Sequence, residues 1–144
     1  MKKFLIFIAI LIAIPVVAQK KGRLEKLDAK AFQVKTVHLK GTILDVRNAD
    51  EFKAEHIKGA KNIDWDSKTF KEIAKKLPHY EPVFIYCQGG YRSNLAAEWL
   101  LEEGFSTTIV LDNGIDSWKD AGLPVEVLVS PVKKSESCMS ESKG

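Results

Sequence analysis

Three short runs of the chain are apolar at nearly every position. They read GTILDV (residues 41–46), VFIY (83–86) and TTIVL (107–111), and β-branched side chains are frequent in them. Unbroken apolar runs of this length are typical of strands buried on both faces, as in a parallel sheet. The pattern therefore predicts three central strands, and the dipeptide NI at 62–63 predicts a shorter one.

Helical patterns lie between and after these strands. Their apolar residues recur at intervals of three and four, and they end at helix-stopping residues such as Pro78 and Gly104. Strands that alternate with helices favour an α/β domain with a mostly parallel sheet and right-handed connections. The predicted helices cover 66–77, 93–104 and 115–122, with a short one from Ala29 to about Val34 that Asp28 caps.

The first 18 residues differ in composition from the rest of the chain. Two lysines precede an apolar run of eleven residues, 4–14, and the segment ends in Val-Val-Ala. This arrangement is typical of a secretory signal peptide, and the run is shorter than the roughly 20 residues that span a bilayer. We therefore expect residues 1–18 to be removed on export to the periplasm or the medium, with an uncleaved membrane anchor as the alternative.

The remaining chain divides into three parts. Residues 19–27 are basic and weakly patterned, which predicts a linker. Residues 28–129 hold the alternating pattern and form the predicted domain. Residues 130–144 are rich in serine and charge and have little apolar surface to bury, which predicts a disordered tail. Cys138 lies in this tail, where an inert thiol and a reversible disulfide partner of Cys87 are both open interpretations.

Composition and charge exclude several classes of function. The chain is 45% hydrophobic and 28% charged, which is ordinary for a globular protein. Its net charge is +3, and 22 basic residues less Lys2 and Lys3 leave 20 against 19 acidic ones, or +1. This balance gives no argument for nucleic acid, and we expect no stable membrane insertion after cleavage. Two cysteines and three scattered histidines fit no metal site, so neither a metal nor an organic cofactor is expected.

One cysteine stands between a predicted strand and a predicted helix. Cys87 follows VFIY, and the residues after it are Gln88, Gly89, Gly90, Tyr91, Arg92 and Ser93. The N–H groups of a glycine-bearing loop and of a first helical turn can converge on one point, where they stabilise a thiolate. This composition predicts a catalytic Cys87 with a binding loop at 88–93, and the alternative is a buried core cysteine.

Each side chain of this loop has an expected role. Arg92 is the only charged residue of the loop and would ease departure of an anionic leaving group. Ser93 can cap the helix and donate to the site. Gln88 and Tyr91 are expected to face the substrate. A phosphate-binding P-loop is excluded, since GxxxxGK[ST] is missing and the loop has no lysine.

Three segments together resemble the signature blocks of single-domain rhodanese-like proteins. They are LDVRNADEFKAEHIKGAKNI (44–63), YCQGGYRS (86–93) and LDNGIDSWKDAGLPV (111–125), in the family's order and spacing. The resemblance covers about residues 24–127. It implies a rhodanese-like α/β domain of about five mostly parallel strands, flanked by helices on both faces, with a persulfide carried on Cys87.

The resemblance also implies a reaction. The chain is similar to sulfurtransferases in its loop length, whereas the related phosphatases have one more residue and an arginine six positions after the cysteine; here Arg92 is at the fifth. The implied function moves a sulfane sulfur from a thiosulfate- or persulfide-type donor to a thiophilic acceptor, such as a thiol on a small molecule or a protein. A persulfide carrier or binding module without turnover is the alternative, and a phosphatase- or arsenate-reductase-like enzyme is less favoured.

Two polar residues near another strand end are expected to support the loop. Asp45 and Arg47 stand at the C-terminal end of the predicted strand 41–46, the edge where α/β sheets place their sites. For Arg47, ordering of the Cys87 loop and a solvated ion pair are equally open. Glu51 and His56 match family positions that look structural. A thiolate already ionised by its loop needs no base, so a packing role is expected for His56.

Overall fold

The computed structural model describes residues 22–128, which fold around one five-stranded sheet. The strands are β1 (Arg23–Leu27), β2 (Thr42–Asp45), β3 (Lys61–Asn62), β4 (Val83–Tyr86) and β5 (Thr107–Leu111). Their order is β1-β5-β4-β2-β3, and all four neighbouring pairs are parallel. The helices are α1 (Ala29–His38), α2 (Ala49–Ala54), α3 (Phe70–Ala74), α4 (Tyr91–Glu102) and α5 (Gly114–Asp120).

The predicted α/β class is confirmed, and helices cover both faces of the sheet. Strand β4 is central and buried at every position, as its unbroken apolar run predicts. Its side chains alternate between two cores. Ile85 packs with residues of α3 and α4 on one face, and Phe84 packs with residues of α1 and α5 on the other. On the second face the ring of Phe32 meets the rings of Phe84 and Trp118 edge-on, at 5.6 and 6.3 Å between centroids.

The segment predicted as a linker contains an edge strand, which corrects the boundary at residue 28. Strand β1, Arg23–Leu27, pairs in parallel with β5 along its whole length. An edge strand buries only part of its surface, so RLEKL retains charged residues and lacks the unbroken apolar run of a central strand. Lys35 of α1 forms an ion pair with Glu25 of this strand, which accounts for part of its polarity.

Two predicted helices differ from the observed ones by several residues in length. The pattern at 66–77 forms a helix only over Phe70–Ala74, and Ile73 is 44% exposed. Local side-chain bonds compete with helix formation before Phe70, since Asp64 Oδ1 accepts from Asp66 N and Ser67 Oγ accepts from Thr69 N. Helix α1 starts at Ala29 with Asp28 as its N-cap, as predicted, but it continues to His38.

Some predictions fall on residues that the structure does not describe. The signal peptide at 1–18 and the whole tail at 130–144, with Cys138 in it, lie outside residues 22–128. Within 22–128, none of the helices combines the length and apolar character that crossing a membrane would need.

Candidate active site

Cys87 lies directly after β4, at the C-terminal edge of the parallel sheet. Its side chain is 2% exposed. The Sγ atom accepts a hydrogen bond from the backbone N–H of Gly90 at 3.2 Å and lies 3.5 Å from Ser93 Oγ. The sulfur therefore sits inside the turn that connects β4 to α4, where it accepts from the N–H of Gly90 and can donate its S–H to the Ser93 hydroxyl oxygen.

Gly90 gives this turn its shape. Its φ is 97°, in the left-handed region that other residues rarely adopt, and it occupies the N-cap position of α4. The helix consequently begins at Tyr91, so the expected capping role of Ser93 is wrong. Ser93 is fully buried in the first turn, and its hydroxyl donates to the carbonyl oxygen of Gly90 at 2.9 Å. The N–H groups of this first turn have no intrahelical acceptor.

The start of α5 holds the outer side of the same turn. The N–H of Ile115 donates to the carbonyl of Cys87 at 2.8 Å, and the N–H of Asp116 donates to that of Gln88 at 3.3 Å. Gly114 lies so close that a Cβ built on it would be 2.3 Å from both carbonyl oxygens. With its carbonyls engaged by α5, the turn can direct N–H groups toward the sulfur.

The sequence reasoning assigned no role to Gly114. The available signal was the Asn-Gly dipeptide at 113–114, a strong turn former. Both residues have positive φ values, 54° for Asn113 and 59° for Gly114. The dipeptide predicts a turn, but only the fold shows that this turn contacts the Cys87 loop.

Asp45 and Arg47 form a buried pair beneath the loop, and the solvated ion pair considered for Arg47 is wrong. Their side chains are 0% and 1% exposed. The guanidinium contacts both oxygens of Asp45, with Nη2–Oδ2 at 2.7 Å, and donates to the carbonyl of Glu55 and to Gln88 Oε1 at 3.1 Å. Burial, the largest single effect, would lower the pKa of Arg47, but the hydrogen bonds to Asp45 and the attraction of nearby negative groups together raise that pKa.

Gln88 is tied to the protein through both ends of its amide. Its oxygen accepts from Arg47 and its nitrogen donates to Asp116. The expectation that Gln88 faces the substrate therefore needs correction, because these bonds place its amide in the support of the loop. Tyr91 and Gly89 are exposed, and Tyr91, at 77%, is free to contact a ligand or partner.

Arg92 is not an unpaired cation. Its two terminal nitrogens each donate to one oxygen of Glu51, both at 3.0 Å. This hydrogen bonding is the main reason that the pKa of Glu51 is lowered and that of Arg92 is raised. A thiolate at Cys87 also raises the pKa of Arg92, so the guanidinium lies within electrostatic reach of the sulfur. Glu51 therefore neutralises the positive charge that the sequence predicts for the loop.

His56 lies apart from this constellation. It is 5% exposed, its Nδ1 is 3.0 Å from the carbonyl oxygen of Phe52, and its ring stacks on that of Phe52. This packing is the role expected of it. Among residues 22–128 there is no cluster of three or more His, Cys, Asp or Glu side chains that could hold a metal ion. A surface cavity of about 310 Å³ between α1 and α5 includes Asn113 but not Cys87.

Comparison with known proteins assigns the chain and its fold to a family. Residues 24–121 match the family model of the rhodanese-like domain. The chain belongs to the rhodanese-like family. It is 26% identical over 100 residues to the thiosulfate sulfurtransferase GlpE of Vibrio cholerae, covering 69% of this chain and 92% of that protein. It is 34% identical over 77 residues to GlpE of Coxiella burnetii, covering 54% and 70%.

Solved structures agree with the rhodanese-like assignment. A rhodanese-related protein from Thermoplasma volcanium is similar with a TM-score of 0.63 and 30% identity, covering 73% of this chain and 99% of that one. A rhodanese-like domain protein from Staphylococcus aureus gives a TM-score of 0.62 and 27% identity, covering 72% and 97%. Membership of this family supports a sulfurtransferase-type role, which implies a sulfur donor and a thiol acceptor in general terms.

Proposed function

We propose that this protein is an enzyme that takes a sulfane sulfur from a thiosulfate- or persulfide-type donor, holds it on Cys87 as a persulfide and passes it to a thiol. One observation carries the proposal: the N–H of Gly90 donates to Sγ at 3.2 Å in a loop whose carbonyls are bonded to α5. Donors fixed in advance around a sulfur stabilise developing negative charge without reorganisation at the moment of reaction.

The reaction has two balanced steps. The Cys87 thiolate attacks the outer sulfur of the donor, the Sγ–S bond forms, and the donor's own bond to that sulfur breaks. The donor remainder leaves with the electron pair, as sulfite or as a thiolate. An acceptor thiolate then attacks the outer sulfur and the Sγ–S bond breaks, which gives the acceptor persulfide and regenerates the Cys87 thiolate. A covalent intermediate between two substrates predicts ping-pong kinetics.

The Ser93 hydroxyl is placed to accept a hydrogen bond from the Cys87 thiol and to donate one to the Cys87 thiolate. In the thiol state its hydroxyl donates to the Gly90 carbonyl and can accept the S–H of Cys87. The Gly90 carbonyl also accepts from the backbone N–H and the side-chain amide of Asn94, at 3.2 and 2.7 Å. The Ser93 hydroxyl is therefore able to rotate toward a charged sulfur, because the Gly90 carbonyl still accepts two hydrogen bonds from Asn94.

Turnover by matched variants tests the proposal. We expect the protein and Cys138→Ser to transfer sulfur from thiosulfate or an organic persulfide to cyanide, and Cys87→Ser to be inactive with an unchanged circular dichroism spectrum. If each chain loads one sulfur but does not turn over, the protein is a persulfide carrier and not an enzyme. Activity retained in Cys87→Ser would contradict the proposal.

We also propose that the protein acts outside the cytoplasm, after residues 1–18 are removed. The support is the composition of that segment, with two lysines, a short apolar run and a Val-Val-Ala ending. Mass analysis of protein from the exported fraction should find Gln19 as the first residue. Intact Met1 in a membrane fraction would indicate an anchor instead.

A further inference from the structure

The only charged residue of the Cys87 loop is neutralised by a carboxylate from another part of the chain. Arg92 and Glu51 are 41 positions apart in the sequence, yet both guanidinium donors meet both carboxylate oxygens at 3.0 Å. The two side chains are 22% and 28% exposed. A bidentate pair of this kind fixes the guanidinium in direction as well as in charge.

Glu51 is held in place independently of Arg92. Asn48 caps helix α2, and its side chain accepts from the N–H of Glu51 at 2.9 Å. In return, Glu51 Oε2 accepts from the backbone N–H of Asn48 at 3.1 Å, which completes a capping box. The carboxylate is therefore positioned before Arg92 reaches it, and the pair differs from a loose surface ion pair.

Two other cations near the loop, Arg47 and Lys119, are also paired with carboxylates. Arg47 is paired with Asp45, and Lys119 is shared between Glu55 and Asp116. Asp66 is near enough to Arg92 to raise its pKa. The side chains joined to Arg92, Arg47 and Lys119 in these contacts bring the total to five carboxylates and three cations: Asp45, Glu51, Glu55, Asp66 and Asp116 against Arg47, Arg92 and Lys119.

We propose that Glu51 is a specificity-determining residue, which neutralises Arg92 so that the loop favours an organic persulfide of at most one negative charge over a dianionic donor such as thiosulfate. This inference rests on the proposed function, because it concerns the first step of sulfur transfer. A dianion entering the site meets a compensated guanidinium and an excess of carboxylates. A persulfide with a small neutral substituent lacks most of that repulsion.

The favoured step balances without an added oxidant or reductant. The Cys87 thiolate attacks the outer sulfur of R–S–SH, the Sγ–S bond forms, and the S–S bond of the donor breaks. The products are the Cys87 persulfide, which retains the outer proton, and the thiolate R–S⁻, which takes the electron pair. The sulfane sulfur only changes its thiol partner.

Single-turnover loading of Cys87 tests the role of Glu51. Thiosulfate and 2-hydroxyethyl persulfide are each mixed with the full chain, and second-order loading rates are read by mass spectrometry of the Cys87 peptide. The test variant is Glu51→Gln, because glutamine at this position keeps the capping box while removing the charge. The matched control is Asp50→Asn, which removes the same charge from the same helix at a side chain that is 96% exposed.

We expect Glu51→Gln to raise the loading rate with thiosulfate about fivefold and the loading rate with the persulfide less than about twofold. Asp50→Asn should change each loading rate by less than about twofold. In Glu51→Gln the thiosulfate rate should fall as NaCl is added, because salt screens the released guanidinium. If Glu51→Gln loads thiosulfate at the same rate as the parent, or if its loading rates for both donors rise equally, the inference is overturned while the proposed sulfur transfer stands. Failure of both donors to load Cys87 in the parent would overturn the proposed function as well.

Discussion

Gly114→Ala adds only one methyl group, yet the structure predicts that it displaces the Cys87 loop. A Cβ at Gly114 would lie 2.3 Å from the carbonyl oxygens of Cys87 and Gln88, where ordinary contacts begin at 3.4 Å. Both neighbours are backbone atoms that cannot rotate away, so the loop and α5 must separate by roughly 1 Å, a displacement that can cost about 10²-fold in rate.

The cost in stability can be estimated from the same contacts. Separation weakens two hydrogen bonds, Ile115 N to Cys87 O at 2.8 Å and Asp116 N to Gln88 O at 3.3 Å, each contributing about 1 kcal/mol. Alanine at a φ of 59° adds about 1–2 kcal/mol of backbone strain. We therefore expect Gly114→Ala to lower the free energy of unfolding by about 3–4 kcal/mol.

Gly122→Ala is the matched control. Gly122 also has a positive φ, 70°, but a Cβ there would have nothing within 4 Å. It should lose only the strain, about 1–2 kcal/mol, and retain full sulfur transfer. Urea denaturation gives the stability of each variant, and initial rates with a saturating donor give the activity of the folded fraction. Parent-like activity in Gly114→Ala, or an equal loss in Gly122→Ala, would refute the claim that α5 positions the loop.

Two further predictions concern the charged groups around the site. Arg47→Met should lower the free energy of unfolding by about 3–5 kcal/mol, because it leaves Asp45 buried without its partner. Urea denaturation measures this loss. A loss below about 1 kcal/mol would mean that the Asp45–Arg47 pair is solvated. Glu51 has a folded-state pKa below its ordinary value of 4.5, so its ion pair with Arg92 stabilises the fold above that pH and is lost as pH falls through the folded pKa. Relative to Glu51→Gln, the parent should therefore lose an excess of stability on acidification below about pH 4.5; parallel curves of unfolding free energy against pH for the two proteins would contradict this.

The sequence was most informative where burial is uniform. Strand β4 could be predicted because all four of its residues are buried, and Cys87 could be placed because it follows that strand directly. Strand β1 escaped prediction because an edge strand needs few apolar residues, and its Arg23 and Lys26 remain exposed. Sequence patterns report how fully an element is buried, so elements at the margin of the sheet are the first to be missed.

The candidate site was predictable in position but not in its internal contacts. The pairing of Arg92 with Glu51 joins residues 41 positions apart, and the contact of Gly114 with Cys87 joins residues from different loops. Ser93 looked like a cap because serine favours that position. The left-handed conformation of Gly90 instead starts the helix at Tyr91. Contacts of this kind depend on how the elements pack, which local sequence does not encode.

Peptide mapping by mass spectrometry is the direct test of whether Cys87 carries the transferred sulfur. The purified full chain is treated with one equivalent of an organic persulfide and digested without reductant, and the peptides containing Cys87 and Cys138 are compared. We expect one added sulfur atom on the Cys87 peptide, lost again on addition of an acceptor thiol. Sulfur found on Cys138 alone, or an unmodified Cys87 in a preparation that transfers sulfur, would contradict it.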